Sequence, residues 1–151
     1  MIMDDAKKIM NEYDRIMKRQ DDLYHDYASK FGLSDISFWI LYVLCESDKV
    51  YTQNQIADLW HFPRQSINSA VSSLVKQGYV SLEKLSAGNS KAIKLTEDGR
   101  DFCGRVIEPV FELEERAALK MTDEERKLFV KLSEKLCDLL EEEFKQTFPE
   151  E

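Results

Sequence analysis

The chain has only two histidines, His25 and His61, and three cysteines in 151 residues. It contains no Cys-x-x-Cys, no His-x-x-x-His and no glycine-rich phosphate loop, so the common signatures of zinc and nucleotide chemistry are missing. An odd cysteine count gives no disulfide framework and points to a reducing compartment, the cytoplasm. Cys45, Cys103 and Cys137 each lie on an apolar stretch, where free cysteine is usually a small buried hydrophobe. No basic neighbour in sequence would lower a thiol pKa for redox sensing. No apolar run approaches the length of a membrane span, and Met1 begins no signal peptide. These gaps argue against an enzyme, a metal site, a cofactor and a membrane partner. What remains is 43% hydrophobic and 33% charged, the profile of one soluble globular domain over residues 1–151.

Another absence is local. No acid occurs between Phe62 and Leu82, although the net charge is −8. The stretch from Thr52 to Val80 reads as two helices with a sharp corner. Thr52 and Gln55 form a capping box that opens the first, and Ile56, Ala57, Leu59 and Trp60 supply its buried side. Pro63 pushes Phe62 out of helical geometry, so the first helix should stop near Trp60 or His61 and the second should begin about there. His61, in the corner, is a packed or phosphate-facing residue rather than a catalyst. In the second helix Ile67, Ala70, Val71, Leu74 and Val75 recur at helical spacing and point inward. Gln65, Ser69, Ser72 and Lys76 centre the opposite face, flanked by Ser66, Asn68 and Ser73. Amides and hydroxyls without acids suit a helix that enters a DNA major groove, since the amides can bond base edges and nothing repels phosphate. Taken alone, the same pattern also fits a plain helical hairpin in a core. Gly78 fits the helix stop.

From Tyr79 the chain reads YVSLEKL, SAGNSKA and IKLT, two β-prone runs around Gly88 and Asn89, which is a hairpin signal. A helix-turn-helix followed by a β-hairpin is a winged helix. With RQSINSAVSSLVKQGYV in the second helix, KLTEDG after the wing and long helices at both ends, the chain resembles the MarR family of transcription regulators along essentially its whole length. The resemblance implies a mainly α (α+β) fold. The DNA-binding part is a winged helix-turn-helix over residues 34–96, and residues 4–31 plus 97–148 form a helical dimerisation part. It implies a homodimer on double-stranded DNA, a repressor before an activator. The DNA contacts expected are Thr52, Gln53 and Arg64 at the helix starts, the polar face just named, and Lys84, Asn89, Ser90 and Lys91 on the wing. One departure stands out. The family's usual wing carries Asp-x-Arg seven to nine residues before the Thr of its Leu-Thr pair. Here Ala87, Gly88 and Asn89 occupy that place, and Lys91 is the nearest cation.

Charge is distributed to match. Lys49, Arg64, Lys76, Lys84, Lys91 and Lys94 face only Asp58 and Glu83 between Lys49 and Thr96, a net +4, which leaves −12 elsewhere. DNA affinity follows the local field more than the total. The competing reading is a winged-helix module for protein–protein interaction that does not read DNA, favoured by the wing departure and the overall charge.

The flanks read as long helices. Asp4 to Phe31 carries a drifting stripe through Ile9, Met10, Tyr13, Met17, Gln20, Tyr24 and Tyr27, ended by Gly32. Ser34 caps a helix from Asp35 to about Ser47 that is apolar nearly all round. Glu97 to Lys120 should be helical with a kink just before Pro109. A second capping box, Thr122 with Glu125, opens the last helix, striped by Leu128, Phe129, Leu132, Leu136, Leu139, Leu140 and Phe144. Glu141, Glu142 and Glu143 oppose its dipole and should let its end fray. Tyr13, Tyr24, Tyr27, Trp39 and Tyr42 crowd the first two helices. They are candidates to hold a small aromatic or apolar effector, against the plainer reading that such rings are core.

Overall fold

A computed structural model of the chain describes residues 2–86 and 88–149. Among the described residues the elements run in the order α1 (Ile2–Lys30), α2 (Asp35–Glu46), β1 (Tyr51–Thr52), α3 (Gln53–Trp60), α4 (Arg64–Lys76), β2 (Val80–Lys84), β3 (Lys91–Leu95), α5 (Glu97–Val106), α6 (Glu108–Leu119) and α7 (Asp123–Thr147). The fold is mainly α with a winged helix-turn-helix at its centre. The chain divides within α6 into two compact units, Met1–Pro109 and Val110–Glu151. Among the described residues no single helix is long and apolar enough to cross a membrane.

In the first unit the core forms where α2 meets α4 and the sheet. Phe38, Ile40, Leu41 and Val43 of α2, Ile56 of α3, Ile67, Val71 and Leu74 of α4, and Val80 and Ile93 of the strands are fully or almost fully buried. α2 starts because the Ser34 hydroxyl accepts from the Ser37 N–H. α3 starts with the full Thr52/Gln55 capping box. It stops because His61 adopts a left-handed conformation, φ 53°, so that the N–H groups of His61 and Phe62 both donate to the Ala57 carbonyl. Pro63 then sits at the N-cap of α4. Two residues expected to face inward do not. Leu59 is 53% exposed and Val75 is 41% exposed, because the apolar stripes of these short helices are wider than the faces their neighbours cover.

The sheet has the order β1-β3-β2, all antiparallel. β1 is only two residues long and escapes sequence reading. It pairs Tyr51 with Ile93 and Thr52 with Ala92, which ties the start of α3 to the wing.

The KLTEDG segment locks the wing to α5. The Thr96 N–H donates to the Tyr79 carbonyl at 3.0 Å. The Thr96 hydroxyl donates to the Gly78 carbonyl at 2.5 Å and accepts from the Gly99 N–H at 3.0 Å, capping α5. Gly99 lies directly on the Tyr79 carbonyl, and one turn later the Phe102 ring stacks on the Tyr79 ring at 4.1 Å. Beyond it helical hydrogen bonding is interrupted at Ile107, just before Pro109 where a kink is expected, while Ile107 itself keeps right-handed helical dihedrals. Pro109 has no N–H for the Arg105 carbonyl, and the neighbouring Val106 carbonyl accepts the Tyr27 hydroxyl at 2.7 Å.

In the second unit Thr122 and Glu125 form their capping box. Arg126 donates to the Met121 carbonyl at 2.6 Å, beside the end of α6. α7 runs on to Thr147 and buries none of its residues: Leu132 is 52% and Phe144 is 63% exposed.

Candidate nucleic-acid interface

The polar face of α4 is built as the spacing requires. Burial of Ile67, Ala70, Val71 and Leu74 turns Gln65, Asn68, Ser69, Ser72, Ser73 and Lys76 outward, all exposed, with Ser66 half-buried. The start of α4 has no side-chain cap, so its first-turn N–H groups stay open. Gln65, Ser66, Ser69 and Ser73 share one wall of an open cleft of about 760 Å³ whose other wall is the start of α2 at Ser34, Asp35 and Ile36. Asn68, Ser72 and Lys76 lie outside that cleft's lining.

A second cleft, of about 380 Å³, brings Thr52 and Gln53 at the start of α3 together with Asn89, Ser90 and Lys91 of the wing. These residues are more than thirty positions apart in sequence, and the β1–β3 pairing is what joins them. Asn54 lines the same cleft and was missed by sequence reasoning, although it is exposed and directly follows the amide of half-buried Gln53.

The cations are arranged unevenly. The β2–β3 register sets Lys84 directly opposite Lys91. Like charges across a strand pair repel, and a shared anion relieves that repulsion. Lys94 is answered by Glu83 at 2.5 Å. Arg64 reaches Asp58 at 3.3 Å, a solvent-exposed pair worth about 0–1 kcal/mol, so this guanidinium can be drawn away at little cost. Ala87 of the wing lies outside the described residues.

The aromatic candidates are partly knitted together. Trp39 stacks on Trp60 of α3 at 4.7 Å and meets Tyr24 at 5.0 Å and Tyr42 at 5.2 Å. Tyr27 packs on Phe31 at 5.1 Å, and burial raises its pKa. Tyr13 sits half-buried farther up α1. Among the cysteines, the Cys45 thiol is pushed strongly up, first by its hydrogen bond with Cys103 and then by burial, which holds it away from the reactive thiolate. Cys137 differs from expectation in being exposed, as α7 buries nothing. Among the described residues no group of His, Cys, Asp and Glu is placed to hold a metal ion.

Residues 31–89 match the MarR family. In fold the chain is similar to a MarR family regulator from Neisseria meningitidis, with a TM-score of 0.76 at 18% identity, over 91% of this chain and 97% of that one. It is also similar to MepR of Staphylococcus aureus, solved as a DNA complex, with a TM-score of 0.69 at 17% identity over 85% and 96% of the two chains. Staphylococcus aureus MarR, solved in complex with salicylate and kanamycin, gives a TM-score of 0.70 at 14% identity over 91% and 93%. No curated protein matches the sequence. The family match thus covers residues 31–89, and the fold that carries them is similar to that of solved MarR family regulators.

Proposed function

We propose that the chain is a sequence-specific transcriptional repressor that binds a pseudo-palindromic operator as a homodimer and is released by a small aromatic or apolar ligand. The observation that carries this reading is the exposed face of α4, a row of amides, hydroxyls and one lysine without any acid. Such a face bonds base edges in a major groove. The open N–H groups at the start of α4, Thr52 and Gln53, and the Lys84–Lys91 pair then take phosphates on either side. The DNA complex formed by MepR supports the same use of the fold.

The dimer is inferred from α7. A helix of 25 residues with an apolar stripe and nothing buried needs a partner, and a second copy is the economical one. One winged helix covers one half-site; a twofold pair presents two recognition helices to a palindrome. Release is supported by the Trp39–Trp60 stack. A ring inserted beside it bears directly on α3, the first helix of the helix-turn-helix. Salicylate bound to the Staphylococcus aureus MarR is a ligand of that kind.

A gel shift with the chain's own upstream DNA tests the reading. Retardation, with footprinted half-sites centred about 10 bp apart or a small multiple of it, is the expected result. A protein that retards no DNA, or shifts operator and random duplex alike, would leave the protein–protein module standing instead. Single-ring aromatic acids should weaken the shift, and a metal chelator should not change it.

A further inference from the structure

Behind the wing lies a third cleft, of about 240 Å³, on elements other than α3 and α4. The end of α2, the linker 47–50, β3 and the first turns of α5 enclose it. Its lining has two characters. Buried Leu44 and Ile93, with Val50 and Leu95, make an aliphatic wall. Lys49, Lys94 and Arg100 bring three cations against the single carboxylate of Asp48. Lys94 is answered by Glu83, but among the described residues neither Lys49 nor Arg100 makes an ion pair.

An arginine without a partner beside an aliphatic wall is matched by one class of small molecule. Its planar fork takes a carboxylate with two parallel hydrogen bonds, which a lysine alone cannot do. The wall removes a hydrocarbon chain from water. No aromatic ring lines the cleft, so nothing in it favours a flat ring over a flexible chain. Its volume falls below the roughly 300–1,000 Å³ of sites that take drug-sized ligands, which limits the occupant to a few carbons. The geometry points to a binding site for a short aliphatic carboxylate at this cleft, held by Arg100 and Lys49. The site shares no residue with the aromatic cluster on α1, α2 and α3, and it does not depend on the DNA-binding reading.

The test is a ligand-observed NMR titration of the full chain with hexanoate and with hexanamide, which has the same chain length but no charge. Arg100→Met and Lys49→Met are titrated in parallel after their thermal melts have been matched to the parent. Both residues are exposed, and Lys49 lies in a linker, so at least one variant keeps the fold. Hexanoate should saturate, hexanamide should bind at least about ten-fold more weakly, and at least one variant should lose about ten-fold for hexanoate. The proposal is overturned if hexanoate does not bind, if hexanamide binds as well, or if both variants keep the parent's affinity.

Discussion

Replacing Gly99 by alanine should destabilise the protein, against the usual rule that alanine is better than glycine within a helix. A Cβ at Gly99 would lie 1.9 Å from the Tyr79 carbonyl oxygen and 2.9 Å from its carbon, both backbone atoms that cannot swing aside. The clash is relieved only if α5 moves off the Gly78–Tyr79 turn. That movement stretches the Thr96–Tyr79 hydrogen bond of 3.0 Å and parts the Tyr79–Phe102 stack. Overpacking of this kind costs about 1–3 kcal/mol, and a weakened hydrogen bond adds about 1 kcal/mol. Alanine's better helix propensity returns about 1 kcal/mol. The net is about 2 kcal/mol of destabilisation, or roughly 4–8 °C in Tm for a chain of this size. Gly104, in the same helix, is the matched control. Its nearest atom to an added Cβ is the Glu108 carboxylate oxygen at 4.0 Å, so Gly104→Ala should stabilise by about 0.5–1 kcal/mol. Thermal and urea melts followed by circular dichroism would read both. A Gly99→Ala protein as stable as the parent, or shifted in the same direction as Gly104→Ala, would refute the close-approach argument.

Two other outcomes are expected. Glutamate at both Leu132 and Leu139 should convert a dimer to monomers, read by light scattering at micromolar concentration; a parent protein that is itself monomeric there would contradict the role given to α7. His25 sits 2.8 Å from Asp35, and its pKa is raised by that hydrogen bond and by the Asp35 charge. The protonated form is therefore the one favoured in the folded state. Its stabilisation is fully present below the unfolded value near 6.5 and is lost as pH rises through the raised folded value. His25→Gln should flatten a slight fall in Tm between about pH 6 and pH 8, and an unchanged slope would show that the pair does not couple to folding.

Much of this architecture is legible in the residues. Thr52, Thr122 and Ser34 announce their helices because a capping oxygen acts on neighbours three positions away. Pro109 announces a kink for the same local reason. The wing is readable from Gly88 and the β-prone runs around it. What is not legible depends on pairing between distant segments. β1 is two residues long and carries no periodicity, so its hold on β3, and with it the meeting of Gln53 and Asn54 with Asn89 and Lys91, appears only in the fold. The opposition of Lys84 and Lys91 is a matter of register, which composition does not reveal. Leu59 and Val75 mislead because an apolar stripe states which face is greasy, not how much of it a neighbour covers. The reason for KLTEDG is likewise long-range: Gly99 is small because Tyr79, twenty positions earlier, leaves it no room.

In the proposed complex the outward face of α4 reads bases while the wing anchors to phosphate. Fluorescence anisotropy tests this division by titrating the parent, Asn68→Ala and Lys91→Ala against operator and scrambled duplexes at two salt concentrations. An exposed amide can bond an adenine edge in two places, so Asn68→Ala should cost roughly 1–3 kcal/mol on the operator and little on the scrambled duplex. Lys91→Ala should weaken both duplexes and lower the salt dependence by about one counterion per subunit. If Asn68→Ala weakened both duplexes equally, or neither, α4 would not be the reading helix and the proposed function would fail.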